Sequence, residues 1–407
     1  MDLTTRRSFA RMLVALLLLA INLRLAVTSA AALLPLLMGE GALTVQAAVL
    51  VPALPTALFA VAGVLTPWLS RWLGAGTAVS WAMVALVAGL LVRSIPSPVA
   101  VVAGTALATA GIAVVNVLMP ALVRALSGTR IRAITTAYTT LISLAAALGA
   151  AAAVPIAHAV GSASLGLGMW VLPAVLALVV WIVVSRGADV NAALTAPASA
   201  SRRRLPAGTW ALTGFFALQA LSSFIIMGWL PTIAIDSGID PARAGMLLGI
   251  VMIVSIPAAI AAVSLSHTAR GVGAGVVVVG IASIAGMAGL WAVPTFAPEL
   301  WAALLGIGSA AFSLALALIA RAGTGAADAA RVSGVAQGVG YSIATLGPLG
   351  AGAWYGLGGS WWPVLAVLIV GALVQAGIGL ALAHASRRGG ADAAASAPPV
   401  ASPAVTR

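Results

Sequence analysis

The apolar positions of this chain fall in long continuous runs, not in alternation with polar ones, and the breaks between runs are short clusters of Arg, Pro, Gly and acid. A helix that crosses a bilayer needs about 20 apolar residues. Runs of that length lie at 12–38, 46–69, 75–93, 97–123, 133–157, 164–185, 209–234, 243–265, 272–293, 299–320, 332–356 and 361–384. A strand crossing a membrane would alternate apolar and polar residues, whereas a helix satisfies its own backbone and tolerates an unbroken apolar run. The pattern therefore predicts an all-α membrane protein of twelve transmembrane helices.

Composition agrees with the pattern. Of 407 residues, 62% are hydrophobic and 7% charged, against roughly 25% charged in soluble domains. There is no Cys, which removes disulfides, thiol nucleophiles and thiolate metal sites. The opening "TRRSFA" resembles a twin-arginine export signal, but such apolar regions run about 7–15 residues and this one continues to Met38. A spanning helix is the expectation there, not a cleaved leader.

The net charge of +12 comes from 20 basic residues, all Arg, set against 8 acids. Between the twelve runs, 17 of the arginines fall on one side: 6, 7, 11, 71, 124, 130, 132, 186, 202–204, 270, 321, 331, 387, 388 and 407. Arg93 and Arg243 fall on the other side, and Arg24 lies within a span. The positive-inside rule then puts both termini of this multi-pass chain in the cytoplasm. The charge faces an anionic lipid surface, so a nucleic-acid partner is not expected.

Two polar, Ala/Pro/Ser-rich stretches, 186–207 and 386–407, read as a disordered cytoplasmic linker and tail. The linker divides the chain into an N-terminal six-helix half at 1–185 and a C-terminal half at 208–385, and the halves echo each other. "LLPLL" at 33–37 answers "WLPTI" at 229–233, and "GIAVVNVLMPALVR" at 111–124 answers "GSAAFSLALALIAR" at 308–321. Arg132 opens the fifth span as Arg331 opens the eleventh, so the offsets are 196, 197 and 199. Two tandem six-helix halves related by a pseudo-two-fold are the architecture of the major facilitator fold, with a substrate site at mid-membrane between them.

The chemistry concentrates on "AINLRLAVTS" at 20–29. Arg24 lies some twelve residues into its span, roughly 18 Å of helix, too deep for its guanidinium to reach an interface. An arginine at that depth costs at least about 2.5–3.5 kcal/mol, and an acid normally offsets it. Asp2, Glu40, Asp189, Asp236, Asp240, Glu299, Asp328 and Asp392 all lie in loops, tails or span ends. Arg24 is thus expected to find its counter-ion in the substrate, a small anion; a structural arginine satisfied by carbonyls and cavity water is the other reading. Asn22 and Ser29 share one stripe of the helix, Arg24 and Thr28 another nearly opposite, and Arg24/Thr28 is the stripe expected to face the cavity.

Further mid-span polar residues are candidate neutral donors of a substrate site: Asn116, Tyr138, Gln219, Gln337 and Tyr341, with Trp229 toward the outer end of the seventh span. Each also suits an ordinary interhelical hydrogen bond. The GxxxG pairs Gly245/Gly249, Gly334/Gly338 and Gly352/Gly356 are expected to pack helices closely where the halves meet.

"INLRLAVTSAAALLPLL", "GIAVVNVLMPALV", "AYTT", "FFALQAL" with "WLP", and "SGVAQGVGYSIATLGPL" together resemble the cyanate/2-nitroimidazole transporter family of the major facilitator superfamily. The resemblance covers essentially all twelve spans. It implies a secondary transporter of the cytoplasmic membrane, with cyanate uptake and nitroimidazole export both known in the family, and it places Arg24, Asn116, Tyr138, Gln219, Gln337 and Tyr341 at the family's typical positions. One departure is "LSRWLG" at 69–74, which keeps Arg71 but lacks the acid of the superfamily's loop motif.

The function read from the sequence is secondary transport of a small anionic or polar, cyanate-like solute by alternating access, acting as a monomer without cofactor or metal. Export of nitroimidazole-like or other small drug-like compounds is the alternative. No phosphate loop, HExxH or GxSxG occurs, so neither ATP drive nor an enzyme is expected. With no acid at mid-span, the anion would carry its own proton or cross by uniport or exchange.

Overall fold

A computed structural model describes residues 3–127, 131–185, 205–322 and 326–395. Among them the chain forms fifteen helices: α1 (Leu3–Gly39), α2 (Val45–Ala48), α3 (Leu50–Leu73), α4 (Ala75–Val92), α5 (Pro98–Ser127), α6 (Ile131–Val160), α7 (Ala163–Gly168), α8 (Val171–Ser185), α9 (Thr209–Asp236), α10 (Pro241–Leu265), α11 (Ala269–Ala292), α12 (Pro298–Ser309), α13 (Ala311–Ala320), α14 (Ala326–Gly356) and α15 (Trp362–Ala395).

Every apolar run of the sequence coincides with one helix or with two consecutive ones. The second, sixth and tenth runs are each divided, as α2/α3, α7/α8 and α12/α13. Eleven segments of the described residues are long and apolar enough to cross a membrane. α14, 31 residues long but rich in Gly, is not among them. α15 continues as helix to Ala395, where composition predicts disorder from 386. Ala and Arg, both strong helix formers, dominate that extension, and residues 396–407 lie outside the described residues. So do residues 186–204 of the expected linker.

The packing repeats the sequence repeat. α1 packs on α6 and α4 on α5 in the N-terminal group; α9 packs on α14 and α11 on α12 in the C-terminal group. Pro35 and Pro231, the paired prolines, both sit inside helices close to the C-terminal ends of α1 and α9. Between the groups, α6 meets α10 and α3 meets α14, while α1 meets α9.

At the end of the bundle distal to the start of α1 and the end of α15, four acids make specific contacts, each within its own group. The Ala163 N–H at the start of α7 donates to the Glu40 carboxylate (2.9 Å). Trp361 Nε1 donates to Asp236 Oδ2 (2.8 Å), and Arg243 pairs with Glu299 on α12 (Nε–Oε1 2.7 Å). Asp240 caps α10 through the Ala242 and Arg243 N–H groups. Each of these four acids is thereby used at the distal end, as their positions outside the spans predict.

Small residues set the distance between the groups at that end. A Cβ at Gly245 would sit 2.8 Å from the Ala150 carbonyl oxygen of α6, and one at Gly352 would meet Val49 Cγ1 at 2.8 Å. Gly249 also faces α6, with the Ala147 oxygen 3.3 Å from its Cβ direction. Gly334 and Gly338 depart from the expectation of close packing: nothing lies within 4 Å of a Cβ at either. Gly334, Tyr341 and Gly352 share one stripe of α14, each within about 20° of the next at 100° per residue. That stripe is in contact at its distal end and open at its proximal end.

Candidate functional site

Arg24 belongs to the long helix α1, whose Leu- and Ala-rich sequence holds a regular helix through mid-bundle. Its side chain points at the C-terminal group. Nη1 donates to Met227 Sδ of α9 at 3.7 Å, and Cζ lies 5.9 Å from the centroid of the Phe59 ring of α3. A thioether is a weak acceptor and an aromatic face gives no hydrogen bond of full strength. No carboxylate of the described residues pairs with the Arg24 guanidinium.

From Phe59 a chain of aromatic rings runs on into the C-terminal group. Phe59 meets Phe224 edge-on (6.4 Å, 64°), Phe224 meets Tyr341 (6.2 Å, 73°), and Tyr341 meets Phe216 (5.3 Å, 81°), which packs on Phe312 (5.4 Å). Tyr341 and Arg24 lie within electrostatic reach of each other. The chain holds seven Phe, and four of them converge here from α3, α9 and α13. Met227 and Phe224 also line a narrow apolar cleft together with Val27, Ala31, Pro52 and Pro55. One positive charge beside an aromatic face in apolar surroundings is an arrangement chemically suited to an anion or a flat ring.

The other sequence candidates take different places. Thr28, expected beside Arg24 in the cavity, is fully buried; its hydroxyl donates to the Arg24 carbonyl (3.1 Å), and its Oγ1 would lie 2.6 Å from a Cβ on Gly149 of α6. The 40° that separates the two residues on the helix, about one side-chain width, is enough to turn Thr28 into the packed α1–α6 seam. Asn22 and Ser29 face the interior of the N-terminal group: Asn22 Nδ2 donates to the Leu18 and Pro173 carbonyls (2.9 and 3.2 Å), Ser29 to that of Ala26 (3.4 Å).

Gln219 is buried, donates to Ser223 Oγ (2.9 Å) and accepts from Gln375 of α15 (3.0 Å); this stitches the C-terminal group internally. Gln337 donates to Ser333 on its own helix (2.6 Å). Tyr138 is half-buried on the stripe of α6 that carries Gly149 and faces α1, and Asn116 is half-buried on α5. Trp229 is fully enclosed near the distal end: its Nε1 donates to the Pro348 carbonyl (3.2 Å) and its ring packs on Tyr355 and Trp361. Of the eight sequence candidates, Arg24 and Tyr341 are brought together. Replacing Trp229 by Ala is expected to cost about 3–5 kcal/mol. This should appear as a lower thermal midpoint in detergent, with the ligand-induced rise in that midpoint preserved.

Sequence reasoning missed Phe59, Phe224 and Met227, because an apolar residue in an apolar helix gives no local sign of what it faces. It also read Arg93, the last residue of the third run, only as a charge on the side opposite most of the other arginines. Arg93 is 1% exposed and runs inward from the end of α4; Nη1 donates to the Ala26 carbonyl (2.8 Å) and Nη2 to that of Leu167 (3.1 Å). The charge follows the two carbonyls, one of them freed where the sixth run divides, and hydropathy alone does not register that demand.

Comparison with known proteins settles the family. The chain is 33% identical over 367 residues to the 2-nitroimidazole transporter of Escherichia coli (strain K12), across 88% of this chain and 92% of that one. It belongs to the cyanate/2-nitroimidazole transporter family of the major facilitator superfamily. The protein YycB of Bacillus subtilis (strain 168), an uncharacterized transporter, is 31% identical over 89% of this chain and 90% of its own. The cyanate transport protein CynX of E. coli is 24% identical over 89% and 95%. No family model matches the chain. Among solved structures, the peptide transporter POT in complex with sulfate superposes with a TM-score of 0.72 at 16% identity, covering 95% of this chain and 98% of that one. A nucleoside transporter, NupG, gives 0.69 at 13%, covering 91% and 99%. The protein is a multi-pass membrane transporter with the fold of that superfamily, and not an enzyme.

Proposed function

We propose that this transporter moves a small anion or polar solute across the cytoplasmic membrane by alternating access, with Arg24 as the anion-binding residue. The observation that supports this most directly is a guanidinium at mid-bundle whose one hydrogen-bond partner among the described residues is a thioether. An anion in the cleft completes its hydrogen bonding and neutralises its charge where the dielectric is low. Phe224, Met227 and Tyr341 come from the C-terminal group and Arg24 and Phe59 from the N-terminal one, so a bound solute touches both and couples occupancy to their relative motion. In this reading the chain has twelve spans, α14 included, both termini in the cytoplasm, and works as a monomer of two six-helix halves.

The ring-lined wall favours a second substrate reading, a flat nitro-heterocycle whose nitro oxygens accept from Arg24 while its ring lies against Phe59 or Phe224. The relative named for 2-nitroimidazole points the same way.

A ligand that binds the native state raises its stability by RT ln(1 + [L]/Kd), about 2.7 kcal/mol at 100 Kd. A thermal-shift series with cyanate, nitrate, 2-nitroimidazole and, as counter-test, small organic cations is expected to raise the midpoint with cyanate or 2-nitroimidazole and leave it unmoved with the cations. Stabilisation by the cations alone would remove the proposal.

A further inference from the structure

We propose that Arg93 is a positioning residue for transport: it grips α1 from behind and sets the rotation that turns Arg24 into the cleft. Ala26, whose carbonyl Arg93 holds, is two residues beyond Arg24 and so about 200° around the helix. The grip is therefore on the face of α1 turned away from the cleft. The same back stripe is held a turn earlier, where Asn22 donates to the Pro173 carbonyl of α8.

The second arm of the fork holds Leu167 in α7, next to the point at which α7 ends at Gly168 and α8 begins at Val171. A planar guanidinium spans two carbonyls on two helices at once, which a neutral amide or an ammonium does less well. Its bonds are charge-assisted and about twice as strong as neutral ones. The surroundings are built for it. Gly104 of α5 lies against the Arg93 backbone and Cβ, and a Cβ at Gly168 would sit 2.7 Å from that of Ser94. A burial this complete, with Nε left unpartnered, exceeds what capping one free carbonyl requires. What it adds is a fixed azimuth for α1 at the level of Arg24.

The proposal rests on Arg24 being the binding residue, yet its test needs no ligand. The chain has no Cys, so single cysteines report cleanly. Val27 lines the cleft and Thr28 is sealed against α6. In the full-length protein, Val27→Cys is expected to react with a water-soluble methanethiosulfonate at least about tenfold faster than Thr28→Cys, the contrast that a 100° step on a packed helix produces. Adding Arg93→Gln is expected to bring the two rates together; an unchanged ratio overturns the proposal. If Arg93→Gln does not give folded protein, Arg93→Lys, which reaches one carbonyl at a time, decides in the same way: a reduced ratio supports the grip and an unchanged one sinks it. Cyanate binding supplies the second readout. Arg93→Gln is expected to weaken it by about tenfold in the Arg24 background and to add nothing once Arg24 is Gln, the non-additivity of coupled sites. Equal losses in both backgrounds would make Arg93 merely structural. A collapsed cysteine ratio with cyanate binding untouched by Arg24→Gln would leave the grip standing and remove the anion reading.

Discussion

Arg24→Gln is expected to reduce cyanate uptake into proteoliposomes to background and to weaken cyanate binding by about 100-fold. A hydrogen bond to a charged group contributes about 1.5–3 kcal/mol, and each 1.4 kcal/mol is tenfold in affinity; a two-armed contact in a recess lined by rings and a thioether sits at the upper end of that range. Gln keeps a donor and much of the volume but loses the charge and the fork. Arg24→Lys should fall between, because an ammonium restores the charge as a point but not the guanidinium's fixed fork of N–H donors. Fold is not at stake: Arg24 has Met227 Sδ and the Phe59 face as neighbours and no buried ion pair to break. Uptake that survives Arg24→Gln unchanged would remove the anion clamp.

The second large effect concerns the two ends of the interface between the groups. Gly245→Val and Gly334→Val are both expected to abolish transport, for opposite reasons. At Gly245 the first added carbon already lies 2.8 Å from a backbone oxygen of α6. The distal closure must then loosen, since backbone cannot be pushed aside cheaply. At Gly334 the added side chain enters open space, so the present arrangement accepts it. Gly334 nevertheless lies on the stripe of α14 that carries Tyr341 and Gly352, and alternating access requires that stripe to close proximally when it opens distally. Valine there should hold the transporter in the conformation described. Cysteine reporters at the two ends would read the difference: Gly245→Val raises distal labelling, and Gly334→Val keeps proximal labelling high. Wild-type transport in Gly334→Val would show that this stripe does not close.

Part of the candidate site is legible in the amino-acid sequence. Arg24 stands out because a charge deep in an apolar run must be compensated and no acid lies at its depth. Tyr341 is legible as a neutral polar group in mid-span. Thr28 is misplaced by the same reading because 100° per residue assigns stripes but not the neighbour each stripe meets, and Gly149 brings α6 so close that the Thr28 stripe is consumed by packing. Gln219 and Gln337 look like binding groups and satisfy Gln375, Ser223 and Ser333 instead. A mid-membrane amide needs some partner, and the sequence does not reveal whether that partner is solute or protein.

The sequence by itself determined that the chain crosses a bilayer as helices, which stretches of the chain form them, and that its two parts repeat at an offset near 197 residues. Those properties follow from local demands: hydrocarbon excludes unpaired backbone and tolerates few charges. The tertiary structure alone decided which face of α1 meets the cleft, that Phe59, Phe216, Phe224 and Phe312 gather around Arg24 and Tyr341 from separate helices, and that Arg93 is drawn inside. It also decided that the glycines of α14 touch at one end and not at the other. Each of these depends on how helices distant in sequence are rotated against one another, which small residues and a few buried hydrogen bonds fix and hydropathy does not encode.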